Sequence, residues 1–353
     1  GLSADAHAGR SARSLGEASM NRSRRRLAVQ LPAAGAAALA ASALLGRPRV
    51  AAAQETWPAR PLRCTVPFAA GGILDITTRA LSAQIAAQIG QPVVVENRAG
   101  ANGNIGTEHV LRTPADGYNL MACSPYLAIN PHLVANTRWK SADFSAIGLI
   151  GAPPNLFVVP ASLPVNSMRE LVDYVKARPG QLNVTNPSAG SSNHLGQELL
   201  FGLTGMDMQN VMYKTQAEML PDLVNGMHAL SLMTLGLALP HVREGRLKAL
   251  AISAPRRSPE LPAVPTLAEA GYGDAMFLPW FGLVAPATTP RPIVRRLSDE
   301  LQKALAQPEL IARLEKLGTL LVPMAGDEAD AFIARENARW SAVIRQRGIK
   351  PLA

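Results

Sequence analysis

Few side chains in this sequence have the spacing that covalent chemistry needs. His109, His132, His194, His228 and His241 show no HExxH or comparable ligand spacing, so no metal site is expected. Serine, histidine and aspartate all occur, but no GxSxG elbow presents a serine nucleophile. Cys64 and Cys123 are the two cysteines, too few for a metal site. They either pair or remain buried thiols, and their apolar, strand-like settings favour the second. The run Gly100-Ala101-Asn102-Gly103-Asn104-Ile105-Gly106 spells GxxGxxG rather than the dinucleotide GxGxxG, and it follows the second strand. It reads as a loop-to-helix turn. No cofactor and no catalytic set is expected, and the chain is not read as an enzyme.

What glycine-bearing turns can do is hold an anion. Gly71 and Gly72 stand between a strand and a helix, where their N–H groups meet the positive end of a helix dipole and the missing side chains admit a ligand. Ser188-Ala189-Gly190-Ser191-Ser192-Asn193-His194 is a second strand-to-helix turn with a glycine and hydroxyls. Two such turns can hold a carboxylate without any lysine or arginine.

The elements that position these turns alternate between strand and helix, as in an α/β protein with largely parallel sheets. Strands are expected at residues 62–68, 92–96 and 118–123, with helices at 75–89 and 104–112. A second unit follows, with helices at 167–177, 194–203, 218–225 and 239–244 and strands at 183–185, 210–213, 229–233 and 248–252. Residues 156–159 and 281–285 are read as segments crossing between the units. Helices at 292–306, 308–317 and 327–346 complete the first. The expected lobes are 54–153 with 280–353, and 154–279.

Charge and targeting follow from the N-terminal stretch. The chain has 353 residues and a formal net charge of +9, but residues 1–53 hold eight arginines against Asp5 and Glu17. The remainder carries 27 basic and 24 acidic residues and no basic stripe, so no nucleic-acid partner is expected. Arg22–Arg26 precede an Ala/Leu-rich segment, 27–45, and then Ala51-Ala52-Ala53. This predicts a signal peptide cleaved near Ala53, by either the general or the twin-arginine route. Residues 1–19 read as an overextended start. No later stretch is apolar enough to span a bilayer, so the mature chain is expected to be a soluble periplasmic protein.

From Trp57 to Pro351 the sequence resembles the solute receptors of tripartite tricarboxylate transporters, the Bug-type family. The resemblance is carried by WPARPLRCTVPFAAGGILDI (57–76), IGQPVVVENRAGANGNIGTEHV (89–110) and TPADGYNLMACSPYLAINP (113–131). ARPGQLNVTNPSAGSSNHLGQELL (177–200) and WFGLVAPATTPRPIV (280–294) follow in family order. The resemblance implies a type II periplasmic-binding fold, two Rossmann-like α/β lobes joined by two crossing segments, acting as a monomer. It implies capture of a small organic carboxylate for membrane transporter subunits, with delivery to a sensor protein as the alternative and an exported enzyme as the least supported reading. It also places the ligand at Phe68, Ala69, Ala70, Gly71, Gly72, Ile73, Leu74 and Asp75 on one side. On the other stand Ser188, Ala189, Gly190, Ser191, Ser192 and His194. Ser124 and Tyr126 are expected at the rim, with Lys214, Thr215 and Thr234 nearby. Three roles stay open. Asp75 contacts ligand or serves the helix N-terminus, His194 contacts ligand or makes a structural hydrogen bond, and Lys214 faces the anion or solvent.

The departures from the family pattern bear on specificity. AAGGILDI stands where the family usually has PPGGSTDI, so Ile73 and Leu74 replace two hydroxyl residues. Thr215 replaces the glycine after Tyr-Lys, Ala229 and Met233 stand at two usual aspartates, and Thr234 replaces asparagine. The expected ligand is an aromatic or branched apolar monocarboxylate, unless Ile73 and Leu74 turn into the lobe core.

Overall fold

The computed structural model describes residues 57–187 and 190–350. The basic region, apolar segment and cleavage site read in residues 20–53 lie outside the described residues, as do Ser188 and Ala189.

The chain opens with β1 (Leu62–Val66), α1 (Ile73–Ile89), β2 (Val93–Asn97), α2 (Asn104–Leu111), β3 (Asn119–Cys123), α3 (Tyr126–Leu133) and β4 (Phe144–Ala152). It then passes to β5 (Asn155–Pro160), α4 (Met168–Lys176), β6 (Asn183–Asn186), α5 (Ser192–Thr204), β7 (Gln209–Met212), α6 (Gln216–Val224), β8 (Leu230–Thr234), α7 (Leu235–Arg243) and β9 (Leu247–Ser253). It closes with β10 (Phe281–Pro286), α8 (Arg291–Leu305), α9 (Pro308–Lys316), β11 (Leu320–Ala325) and α10 (Gly326–Gln346).

Two sheets result, ordered β11-β4-β10-β3-β1-β2 and β7-β6-β8-β5-β9. Both are mixed rather than largely parallel. In the first, β1 runs parallel to β2 and β3, while β10 is antiparallel to β3 and β4, and β11 to β4. In the second, β6 is parallel to β7 and β8, while β5 is antiparallel to β8 and β9. The segments expected to be crossings are therefore interior strands, β5 and β10. The crossings themselves are short on one side, residues 153–154, and longer on the other, residues 254–280.

Side-chain chemistry explains where sequence patterning failed. β4 is buried along eight of its nine residues, so it lacks the polar–apolar alternation of a half-exposed strand. β11 likewise went unread. Pro131 lies inside α3. A proline there cannot donate to the carbonyl four residues back, and the Ser141 hydroxyl donates to that carbonyl, Leu127 O, at 2.8 Å instead. α7 starts at Leu235, four residues earlier than the pattern gave. Two helix starts carry legible caps: Ser167 Oγ accepts from the Glu170 amide and Thr215 Oγ1 from the Glu218 amide.

Each sheet is covered on both faces. Leu62, Cys64, Leu81 and Leu120 pack beneath Leu297, Leu301 and Leu314 on one face of the first sheet. Met121, Cys123, Tyr126, Phe144 and Trp340 form the other. Cys64 and Cys123 are free and buried. Burial pushes the Cys64 thiol up to about 12 and raises that of Cys123 as well. Among the described residues no helix is long and apolar enough to cross a membrane, and no group of metal-binding side chains assembles.

Candidate functional site

The first turn leaves β1 through Pro67 and Phe68 and enters α1 at Ile73. Ala69, Ala70, Gly71 and Gly72 are exposed. Gly71 has φ +83, the left-handed backbone that glycine adopts without strain. Gly72 caps α1 with φ −71 and ψ 160, and no side chain caps this helix. The first amides of a helix have no acceptor within it, so those at the start of α1 are left for an outside acceptor at the dipole's positive end.

A buried carboxylate holds this turn in shape. Asp75 is 3% exposed. It accepts from the Gly71 amide (2.9 Å), from Asn97 Nδ2 (2.9 Å) and from Arg79 Nε (3.1 Å). Asn97 also donates to Phe68 O at 3.1 Å, and Arg79 Nη2 donates to Asn97 Oδ1 at 2.8 Å. Burial by itself would raise the Asp75 pKa, but the donors from Arg79, Gly71 and Asn97 outweigh it and hold the carboxyl below its ordinary value. Of the two roles left open for Asp75, its hydrogen bonds serve the turn at the helix N-terminus. Asn97 and Arg79, which sequence reasoning missed, complete the brace; the asparagine closing a strand just before ArgAlaGly was the available signal.

Of the two substituted apolar residues, Leu74 is in the core with Leu81 and Leu301, and its side chain is not available to a ligand. Ile73 is half-buried against the same core. Successive helical positions point about 100° apart, which separates the two. Tyr126 is also a correction. It is buried, edge-on to Phe68 (5.2 Å between centroids), and its hydroxyl lies 3.2 Å from Thr107 Oγ1. Burial raises its pKa. It supports Phe68 from behind rather than forming a rim. Ser124 is half-buried at the end of β3. Gly103, φ +93, lets the neighbouring loop approach this pair, since a Cβ there would stand 3.1 Å from Tyr126 Cε2 and 3.3 Å from Phe68 Cζ. The glycine-rich 100–106 run is therefore a packing turn.

The second turn follows β6. Ser188 and Ala189 lie outside the described residues. Gly190 is buried with φ +73, and its N–H donates to His194 Nδ1 at 3.0 Å. Ser191 caps α5, its Oγ accepting from the His194 amide at 3.2 Å. Ser192 is half-buried at the first helical position. His194 is 6% exposed, and burial lowers its pKa against the opposing pull of Glu198. Its Nδ1 is occupied by Gly190, so it makes the structural bond.

The remaining candidates gather at the second sheet's end. Thr234 closes β8 and is bound twice by Gln216, whose Oε1 accepts from the Thr234 amide (2.9 Å) and whose Nε2 donates to Thr234 Oγ1 (3.1 Å). Asn155 pairs with Thr234 in register. Asn155 Nδ2 and, at the end of β6, Asn186 Oδ1 are buried without a partner among the described residues. Gln216, Asn155 and Asn186 were not singled out from sequence. Ligands in α/β sheets gather outside strand C-termini, which is where Asn186 and Thr234 stand. Lys214 is exposed, and Thr215 Oγ1 is engaged in capping. Tyr213 is held by Asp222 (2.6 Å) and His228 (2.7 Å).

The two turns share one core. Phe68 packs against the cluster that contains Tyr126, Trp280 and Trp340, and Leu195, in the first turn of α5, belongs to that same cluster. Among the described residues no hydrogen bond joins one turn to the other. Cavities elsewhere, such as one of ≈ 360 Å³ lined by Ser145, Arg291 and Asp330, share no residue with either turn.

The model of the tripartite tricarboxylate transporter family receptor matches residues 77–349. Protein BugT of Bordetella pertussis is 36% identical over 84% of this chain and 92% of its own length. Among solved structures, an R. palustris protein with adipate is 34% identical with a TM-score of 0.71, covering 84% of this chain and 100% of that one. MatC from Rhodopseudomonas palustris with bound malate is 30% identical with a TM-score of 0.66, covering 82% and 100%.

Proposed function

This chain belongs to the tripartite tricarboxylate transporter receptor family, and from that premise we propose that it is a periplasmic receptor that closes two lobes around a small carboxylate. The lobes are residues 54–153 with 280–353, and 154–279, and the captured acid passes to membrane transporter subunits. The observation that carries the reading is the uncapped N-terminus of α1: exposed Gly71 and Gly72, with the acidic residue of its first turn, Asp75, already occupied by three donors. Asp75 and the His194 Nδ1 are both engaged in holding turns, which favours binding over proton-transfer chemistry.

Ile73 gives the site an apolar wall where Leu74 does not. An aromatic or branched monocarboxylate fits that wall, and the adipate and malate of the two neighbours make small dicarboxylates the competing class. Mass spectrometry of molecules released from natively purified protein, followed by thermal-shift titration with benzoate, branched-chain acids, malate and adipate, tests both. Stabilisation by an apolar monocarboxylate is expected. Stabilisation by malate alone overturns the specificity, and the absence of any organic acid response overturns the receptor reading.

A further inference from the structure

We propose that His194 is a positioning residue for the second turn, a proton-sensitive clamp on Gly190 whose setting is governed by the Glu198–Arg347 ion pair. This rests on reading the Gly190 turn as half of the carboxylate site.

The clamp begins with a backbone need. Gly190 is buried in left-handed conformation, so its N–H requires an acceptor, and His194 Nδ1 supplies one at 3.0 Å. An imidazole nitrogen accepts only while unprotonated. The ring proton therefore sits on Nε2, which faces Glu198 Oε1 at 3.7 Å, one helical turn along α5.

Glu198 is itself anchored from two other elements. Its Oε1 accepts from Asn210 Nδ2 of β7 at 2.9 Å, and its Oε2 from Arg347 Nε at 3.0 Å. Arg347 is the C-cap of α10, 149 residues away in sequence. Its stem crosses α5 at Gly202, where a Cβ would stand 3.3 Å from Arg347 Cδ. The charged group facing the imidazole is thus Glu198 from its own helix, while Arg347 from α10 and the neutral Asn210 of β7 reach the ring only through that carboxylate.

The balance of these charges decides the clamp. Burial disfavours the imidazolium and Glu198 favours it, with burial the larger effect. Arg347 offsets the Glu198 charge. Without Arg347, the carboxylate faces the ring alone and draws a proton to it, and Nδ1 then turns from acceptor to donor against the Gly190 N–H. The turn is held at neutral pH and released in acid, and a residue from the last helix of the first lobe sets where that happens.

The test uses the full chain with His194→Asn, whose Oδ1 can accept in place of Nδ1 without titrating, and Arg347→Gln. In ligand-free protein, the Gly190 amide and the His194 ring are followed by NMR from about pH 8 down through protonation of the ring. The wild-type amide is expected to lose its acceptor as the ring protonates, Arg347→Gln to shift that transition to higher pH, and His194→Asn to show none. A Gly190 amide that ignores ring protonation, or an Arg347→Gln transition at equal or lower pH, overturns the clamp. Benzoate is titrated in parallel, with affinities referred to its ionised form. Wild-type affinity is expected to fall about tenfold on acidification, the worth of about one hydrogen bond, with His194→Asn flat. Tighter benzoate binding in acid overturns the link from clamp to ligand. No benzoate binding at any pH counts against the ligand reading above, while the amide measurement still decides the clamp.

Discussion

Replacing Gly72 with aspartate should leave the ligand-free protein at least as stable while removing its grip on carboxylates. Gly72 sits at φ −71 and ψ 160, extended backbone open to any residue. A Cβ there would meet only Ala69 O at 3.5 Å, an ordinary contact. An aspartate at this position reaches the free amides at N2 and N3 and complements the helix dipole. Its advantage over glycine as a cap is a few tenths of a kcal/mol, with about 0.3–1 kcal/mol from the dipole. Asp75, one turn on, already lies against Arg79 at 3.0 Å, which limits the repulsion between the two carboxylates. A net gain of about 0.5 kcal/mol corresponds to a rise of about 1–2 °C in Tm.

Binding should move the other way. A ligand carboxylate at these amides makes charge-assisted hydrogen bonds worth about 1.5–3 kcal/mol, and the built-in carboxylate takes its place. That is a loss of roughly 10- to 150-fold in affinity. Gly72→Ala, which adds the Cβ without the charge, should bind within a few-fold of wild type. Calorimetric titration with benzoate, beside thermal melts of all three proteins, reads both quantities. Retention of wild-type affinity by Gly72→Asp, or a Tm below that of Gly72→Ala, would refute the assignment of these amides as the anion site.

Three further outcomes follow from the same geometry. Ile73→Ser should shift preference from benzoate toward malate with a small change in Tm, whereas an unchanged ratio of the two dissociation constants would show that the Ile73 side chain does not touch ligand. Asp75→Asn should destabilise the protein at neutral pH by about 1.5–3 kcal/mol, the worth of a hydrogen bond to a charged group. Because the folded-state pKa of Asp75 is lowered, its contribution is present above the ordinary carboxylate range and is lost as pH falls through the folded value. The difference between mutant and wild type, read from denaturant melts, should therefore shrink below about pH 4, and a constant gap would contradict the brace. Cys64 and Cys123, buried and raised in pKa, should resist a thiol reagent in the native state and react fully in denaturant. Rapid native labelling, or a mass showing two hydrogens lost, would count against free buried thiols.

What the sequence made legible was local. Gly71 and Gly190 marked both turns because few residue types other than glycine adopt their left-handed backbone, and Ser167 opens its helix where the pattern placed the start. What it concealed was non-local. Pro131 reads as a breaker until Ser141 is seen donating to the carbonyl it leaves free. β4 hides because burial on both faces erases its alternation. Ile73 and Leu74 are equivalent letters, and only the direction of α1 against the first core separates a half-buried wall from a buried anchor. The Asp75 brace joins residues from α1 and β2, and the Glu198–Arg347 pair joins α5 to the end of the chain. Neither has a spacing that a scan along the sequence could recognise.

The two turns solve the same mechanical problem with groups of opposite electrical character, and the difference bears on the order of events in the proposed receptor. A glycine turn wide enough to admit an anion is floppy unless something behind it holds the amides in place. In the first lobe that support is a carboxylate, which would repel an arriving anion were its charge not matched by Arg79 and absorbed by the Gly71 and Asn97 donors. With that charge offset, the uncapped dipole of α1 remains for the ligand. In the second lobe the support is a neutral imidazole, and Ser191 already occupies one amide of α5. Among the described residues of that turn, the Gly190 amide and the Ser191 hydroxyl are engaged, and Ser192 is half-buried. On this reading the first lobe supplies most of the attraction in the open state and the second supplies enclosure. Substitutions around Gly72 should then weaken the initial docking of the acid, whereas substitutions around Gly190 and His194 should act on closure, slowing or loosening the trap without abolishing the first encounter.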